Sequence, residues 1–198
     1  MCIRDRSKEE IIFGYAGVIT FKRGINKLLD VSISIADKFP QKKFKLLLFG
    51  RFTYQGEEIE FKKKAFTINN LEVEFAEWTD YDKMSSVIER MDICFDLRIR
   101  NFIYSNSLPI KIFEYMACGK PFIYSDIKPI RDEIDYEKYG FLVNPDNESE
   151  IVKAIESYLN NPKLAEENSV NARKLIEENK NWENESKKLI EMVNKILL

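Results

Sequence analysis

The chain has 198 residues, of which 44% are hydrophobic and 13% aromatic, enough to bury one sizeable core. Its 31 basic and 33 acidic residues are mixed along the sequence, so bulk charge indicates neither a nucleic-acid partner nor an anionic membrane surface. The sequence contains no histidine, and this chain therefore cannot supply a Ser-His-Asp triad, a histidine-dependent metal site or an imidazole base.

The first ten residues differ in character from the rest of the chain. The segment MCIRDRSKEE is charged and lacks the apolar stretch of a signal peptide, and no later run of eighteen apolar residues indicates a membrane span. Cys2, Cys94 and Cys118 have no CxxC spacing, which favours a reducing, cytoplasmic setting. We expect residues 1–10 to be disordered or foreign to the fold and residues 11–198 to form one domain.

Short apolar runs alternate with helical periodicity along the chain, which predicts a Rossmann-like, doubly wound α/β fold with a mainly parallel sheet. The predicted strands are Ile11–Tyr15, Phe44–Phe49, Leu71–Phe75, Ile93–Phe95, Pro121–Tyr124 and Phe141–Val143. The predicted helices between them are Arg23–Phe39, Glu57–Phe66, Asp80–Arg90 and Leu108–Cys118. After Val143 the sequence predicts a charged helical tail, consisting of Asn147–Leu159, Lys163–Glu178 and Trp182–Leu198.

The loop after the first predicted strand carries Gly17, then Lys22 and Arg23 at a predicted helix start. Ligands of an open α/β sheet collect beyond the carboxyl ends of its strands. A cation at a helix start interacts unfavourably with the helix dipole, and each one destabilises the helix by about 0.3–1 kcal/mol. A bound phosphate would explain the placement of Lys22 and Arg23. The alternative is a pair of solvated charges at a loosely defined helix boundary.

A later helix opens at Ser107-Leu108-Pro109, where Ser107 is suited to the cap and Pro109 to the first turn. Its spacing places Lys111 and Glu114 on one stripe and a core-facing set on another, namely Pro109, Ile112, Phe113 and Met116. Two interpretations of Lys111 and Glu114 remain. They form an exposed ion pair, worth roughly 0.2–0.5 kcal/mol, or the Glu114 carboxylate binds a ribose while the Lys111 ammonium binds a phosphate.

Two further loops carry candidate contacts. Trp78, after the third predicted strand, is either a ring that stacks on a nucleotide base or a packing residue at the turn. Arg98, Arg100 and Asn101 precede the helix that opens at Ser107. They either touch a sugar or an acceptor, or they are solvated loop charges.

Residues 13–198 resemble the C-terminal, donor-binding domain of retaining glycosyltransferases of family 4, the group 1 glycosyltransferases, which have the GT-B fold. The most specific match is SLPIKIFEYMACGKPFI, which begins at Ser107 and is similar to the segment around the family's E-x7-E motif. The first loop, with Arg23 before Gly24, resembles the family's phosphate loop. Weaker matches close the chain, at Gly140–Pro145, Asn171–Arg173 and Trp182-Glu183.

This resemblance implies roles for individual residues. Glu114 is the second glutamate of the motif and would bind the ribose hydroxyls of a nucleotide sugar. Arg23, with Lys22 as the substitute, would stabilise the departing diphosphate by charge-assisted contacts. The first glutamate falls on Asn106, which can hydrogen-bond to sugar hydroxyls but cannot act as a base.

The resemblance also leaves a gap in the first loop. Many relatives carry a second arginine where this chain has Val18, so phosphate binding is predicted to recruit Lys111. The remaining predicted donor-site residues are Gly17, Trp78, Leu108 and Pro109.

The family implies sugar transfer, with retention, from a UDP- or GDP-linked donor to an acceptor hydroxyl in polysaccharide or glycoconjugate synthesis. GT-B sites as a class need no metal, and no cofactor is expected. The expected partners are the nucleotide-diphosphate sugar and a missing N-terminal Rossmann-like half, through which any peripheral membrane association would run. We expect this chain alone to bind nucleotide weakly and to transfer nothing.

Two alternatives remain open. One is a nucleotide-sugar epimerase of the same architecture. The other is a non-catalytic nucleotide-binding or signalling module with a flavodoxin-like sheet. Receiver modules need acidic residues after the first strand and an aspartate after the third, whereas this chain has Gly14–Thr20 and Ala76–Tyr81 there.

Overall fold

The computed structural model describes residues 10–65, 70–76 and 80–197 and contains a six-stranded sheet. Its strands are β1 (Glu10–Ala16), β2 (Lys43–Phe49), β3 (Leu71–Ala76), β4 (Ile93–Asp96), β5 (Phe122–Ser125) and β6 (Gly140–Val143). Every paired neighbour is parallel, in the order β3-β2-β1-β4-β5-β6. This confirms the predicted Rossmann-like, doubly wound fold, in which the strand order reverses between β1 and β4.

Helices cover both faces of the sheet and form the tail. They are α1 (Ile25–Lys38), α2 (Gln55–Ala65), α3 (Met84–Ile88), α4 (Phe102–Ser105), α5 (Ile110–Ala117), α6 (Lys128–Glu133), α7 (Glu148–Asn160), α8 (Pro162–Glu178) and α9 (Trp182–Leu197). The predicted helical tail is thus confirmed. Among the described residues, no helix is long and apolar enough to cross a membrane.

Two buried clusters occupy the two faces of the sheet. Successive side chains of a strand point to opposite faces, so Phe13 of β1 enters the cluster under α1 and α7, while Ile12 enters the cluster under α5 and α6. Burial on both faces explains why the central strands β1, β4 and β5 are mostly apolar, whereas the edge strand β3 alternates apolar residues with Glu72 and Glu74.

Several predicted helix boundaries were wrong. The helix predicted from Arg23 begins at Ile25, because Arg23 ends a 3-10 turn (Phe21–Arg23) and Gly24 adopts a left-handed φ of 74°. The helix predicted over Asp80–Arg90 divides into a 3-10 turn (Tyr81–Lys83) and the short α3. Helices α4 and α6 were not predicted, because four to six residues are too few to show helical periodicity.

Gly24 allows the loop after β1 to lie against the segment after β4. An ideal Cβ on Gly24 would lie 1.8 Å from the carbonyl oxygen of Leu97, and the positive φ strains any other residue. We expect Gly24→Ala to lower the free energy of unfolding by about 1–3 kcal/mol, measured by urea denaturation. Gly56→Ala is the matched control, since open space surrounds Gly56, and it should be neutral or stabilising. Equal midpoints for the two variants would contradict this account.

Candidate functional site

The carboxyl ends of β1 and β4 form the crevice where an open α/β sheet binds its ligands. The two segments that leave these strands are tied together, since the Ile99 amide donates to the Lys22 carbonyl at 3.0 Å. Tyr115 of α5 spans the same point, because its hydroxyl accepts from the Ala16 amide at 3.2 Å and donates to the Phe95 carbonyl at 3.3 Å. These contacts fix α5 and both loops around one crevice.

A buried ion pair lies at the base of this crevice. Arg98 donates from Nε to Oδ1 of Asp96 at 3.0 Å and from Nη2 to Oδ2 at 2.5 Å. The Tyr124 hydroxyl donates to Oδ2 at 2.8 Å and accepts from Arg98 at 2.7 Å. Of the two alternatives left open for Arg98, the solvated loop charge is wrong, because the side chain is buried against a carboxylate.

The electrostatics of this pair favour the charged form of Asp96. Burial alone would raise the pKa of the Asp96 carboxyl, but the hydrogen bond from Arg98 and the charges of Lys111 and Arg98 outweigh burial and hold that pKa below its usual range. Asp96 is therefore a stable buried anion around which cations can gather.

Lys111 reaches from α5 to the loop after β1. Its ammonium donates to the Tyr15 hydroxyl at 2.7 Å and lies 4.0 Å from Oδ2 of Asp96. Tyr15 in turn donates to the Val18 carbonyl at 2.6 Å. Gly17 leaves the space for this ammonium, since an ideal Cβ there would lie 2.1 Å from Lys111 Nζ.

These contacts show that Lys111 is not a solvated surface charge. Its side chain is 15% exposed, so the exposed ion pair considered for Lys111 and Glu114 was wrong. Burial lowers the pKa of Lys111 to about 8; Asp96 opposes this effect, while the positive charges of Arg23 and Arg98 add to it. Lys111 is thus a cation held in a partly desolvated, electropositive crevice.

Arg23 approaches the same crevice from the 3-10 turn before Gly24. Its guanidinium carbon lies 5.7 Å from the centroid of the Tyr104 ring, and that of Arg98 lies 5.2 Å from the same centroid. Tyr104 belongs to α4, where the Asn101 side chain caps the helix by accepting from the Tyr104 amide at 2.8 Å. Lys22 beside Arg23 is exposed.

Glu114 lies one turn after Lys111 on α5 and is half-buried. Its negative charge partly opposes the lowering of the Lys111 pKa by burial, so the two side chains are close enough to interact electrostatically. The opposite face of α5 is buried, as predicted for Ile112 and Met116. Phe113 packs at the edge of that core as a partly buried side chain.

The segment before α5 differs from its prediction. Ser107 does not cap α5; its hydroxyl donates to the Ile103 carbonyl at 2.6 Å, and Pro109 takes the cap position instead of the first turn. The exposed Asn106 ends α4, and its Nδ2 donates to the Phe102 carbonyl at 2.7 Å. Leu108 is exposed.

The structure thus brings together four predicted site residues: Gly17, Arg23, Lys111 and Glu114. Trp78 lies outside the described residues. Sequence reasoning missed Tyr15, Asp96, Tyr104 and Tyr124. An aspartate that ends a buried strand, two residues before an arginine, was the available signal for part of this network.

The described residues hold no group of three or more Cys, Asp or Glu side chains placed to bind a metal ion. What they offer is cationic: Arg98 and Lys111 lie around the buried carboxylate of Asp96, and Arg23 lies close enough to Lys111 to lower its pKa. Such a crevice, with a half-buried carboxylate beside it, can attract an anionic ligand that also carries hydroxyl groups.

The fold and the crevice together define a Rossmann-like domain with a cationic crevice at the point where the strand order reverses. The chain belongs to the family described as "Glycosyl transferases group 1", whose model matches residues 3–175. This confirms the resemblance inferred from the segment that begins at Ser107.

Individual relatives agree with this membership. The chain is 26% identical, over 162 residues, to an uncharacterized glycosyltransferase of Haemophilus influenzae, a match that covers 79% of this chain and 41% of the relative. Its fold is similar to sucrose-phosphate synthase from Thermosynechococcus elongatus, with a TM-score of 0.79, 22% identity, and coverage of 95% of this chain and 46% of that one.

It is also similar to Anabaena HepE, solved in complex with UDP, with a TM-score of 0.78, 15% identity, and coverage of 94% of this chain and 49% of that one. HepE has been solved with UDP-glucose as well. The chain therefore spans about half of the length of these relatives.

Proposed function

We propose that this chain is the donor-binding domain of a glycosyltransferase that moves a sugar, with retention, from a UDP- or GDP-linked donor to an acceptor hydroxyl. Polysaccharide or glycoconjugate synthesis is the setting we favour. The observation that carries the proposal is the position of Lys111 and Arg23 at the β1/β4 crevice, with Glu114 one helical turn after Lys111 on α5. The fold likeness to HepE, whose complexes contain UDP and UDP-glucose, supports a nucleotide-sugar ligand.

In this proposal the diphosphate lies between Arg23 and Lys111. Lys111 donates to a neutral phenol, that of Tyr15, and its charge is only partly balanced by Asp96 at 4.0 Å. An incoming diphosphate would supply the missing negative charge, and its contacts would strengthen as charge develops on the leaving group. Val18 contributes no cation from the loop, which makes Lys111 the second positive group.

Glu114 is proposed to accept hydrogen bonds from the ribose hydroxyls. A half-buried carboxylate one turn from the diphosphate site has the reach and charge for this contact. Asn106 and Leu108, exposed before α5, are proposed to lie toward the sugar, with Pro109 shaping the start of the helix. No step in this scheme requires a metal ion, since side-chain cations neutralise the diphosphate.

The acceptor is proposed to bind on a second Rossmann-like half, because this chain spans only 46% of the sucrose-phosphate synthase chain and 49% of the HepE chain. The isolated chain should then bind nucleotide and transfer no sugar. Measurable sugar transfer by these 198 residues alone would contradict this division of labour.

The donor site is tested by titrating UDP, GDP, ADP and uridine into the 15N-labelled chain and following its amide resonances. Arg23→Gln should weaken UDP binding about tenfold but leave uridine binding unchanged, since it removes a phosphate contact. Glu114→Ala should weaken the binding of both UDP and uridine, because both ligands carry the ribose. Arg131→Gln is the control, since Arg131 forms an exposed ion pair with Asp126 and is not among the groups that shift the pKa of Asp96 or Lys111. The proposal fails if no nucleotide binds, or if neither site variant changes the affinity.

A further inference from the structure

Tyr104 is a residue beside the crevice to which neither the sequence analysis nor the proposed function assigns a role. It lies on α4, a single helical turn whose first two residues, Phe102 and Ile103, are 86% and 68% exposed. The turn therefore buries little apolar surface of its own. The turn places the Tyr104 ring within 6 Å of two guanidinium groups, those of Arg23 and Arg98.

These two arginines are not equivalent. Arg98 is buried and neutralised by its bidentate contact with Asp96, which fixes its position. Arg23 comes from a short 3-10 turn, carries the same charge and faces the same crevice. An aromatic ring attracts cations through the negative potential of its π face, so the Tyr104 ring can hold Arg23 near Arg98 despite their like charge.

The Tyr104 backbone is itself held in place. The Asn101 side chain accepts from its amide at 2.8 Å, and the Ile99 amide just upstream donates to the Lys22 carbonyl at 3.0 Å. The ring of Tyr104 and the turn that carries Arg23 are thus tied to the same segment of backbone.

We infer that Tyr104 is a positioning residue, whose ring holds the Arg23 guanidinium at the diphosphate site. The contact is made by the ring face, so the hydroxyl group is dispensable. This inference rests on the proposed function, because it needs Arg23 to bind the diphosphate.

The test compares UDP affinity, by the same amide titration, in Tyr104→Ala, Tyr104→Leu, Tyr104→Phe and Phe102→Ala. Tyr104→Ala and Tyr104→Leu should weaken UDP binding about threefold to tenfold, because Arg23, left with its hydrogen bond to Tyr15, is less ordered before the ligand binds. Tyr104→Phe keeps the ring and should bind like the parent chain. Phe102→Ala, on the same turn, is the matched control and should bind normally. Tyr104→Leu keeps apolar bulk, so it remains informative if Tyr104→Ala fails to fold.

The decisive measurement repeats Tyr104→Leu in the Arg23→Gln background. There the substitution should have no further effect on UDP affinity, since the group that it positions is gone. An equal loss in both backgrounds, or normal binding by Tyr104→Leu in the parent background, would overturn the inference. Failure of the proposed function is distinguishable, because in that case Arg23→Gln itself leaves UDP affinity unchanged.

Discussion

Replacing Arg98 by methionine is expected to lower the free energy of unfolding by about 3–5 kcal/mol, because Asp96 would remain buried without its main cation. Lys111 at 4.0 Å and the Tyr124 hydroxyl at 2.8 Å cannot replace a bidentate guanidinium. Urea denaturation of the parent and variant chains, followed by circular dichroism, gives the difference.

An exposed pair of the same kind supplies the control. Arg131 and Asp126 also form a two-point contact, but the Arg131 side chain is 55% exposed, so Arg131→Met should cost no more than about 1 kcal/mol. Replacing both members of the buried pair, with Asp96→Asn and Arg98→Met, should cost less than Arg98→Met alone, since no buried carboxylate is left without its guanidinium. Equal losses for Arg98→Met and Arg131→Met would show that burial of the pair does not matter.

The affinity of the chain for UDP is expected to fall by about tenfold between pH 7.5 and pH 9, because binding needs the ammonium form of Lys111. Burial lowers the pKa of this group to about 8 in the free chain, whereas a bound diphosphate favours the charged form and raises that pKa. Between the two pKa values the complex holds a proton that the free chain has lost. Binding there takes up a proton, and affinity decreases as the pH rises.

Calorimetry in two buffers with different ionisation enthalpies measures this proton uptake at pH 8.5. Lys111→Arg is the matched control: a guanidinium stays charged over this range, so the variant should show little proton uptake and a flatter pH profile. The control also accounts for ionisation of the nucleotide base itself. A UDP affinity that is constant from pH 7.5 to pH 9 would contradict a Lys111 that loses its proton in this range and regains it when UDP binds.

The strands and the doubly wound, parallel class of the fold were predictable because a parallel sheet covered on both faces needs mostly apolar runs. Such runs, for example Phe44–Phe49, are visible in the sequence. The boundaries near the crevice were not predictable by the same means. The start of α1 depends on the left-handed conformation of Gly24, which in turn depends on its contact with Leu97 far along the chain.

The site was predictable only in part, for a related reason. Helical spacing correctly placed Lys111 and Glu114 away from the buried face of α5, but it could not show that the Lys111 ammonium reaches Tyr15, 96 residues earlier. Tyr15 itself has the pattern of a core residue, and Asp96 that of a strand end. Tyr15 and Asp96 meet because β1 pairs with β4, and a local sequence pattern cannot show which strands are paired.

The contact between Gly17 and Lys111 has a mechanical consequence. Gly17 follows β1, whose partners on one side are β2 and β3, whereas Lys111 belongs to the helix between β4 and β5. A diphosphate held by Arg23 and Lys111 would therefore cross-link the two halves of the sheet. The bound diphosphate would then oppose the separation of β1 from β4, and its release would make both halves of the sheet more mobile.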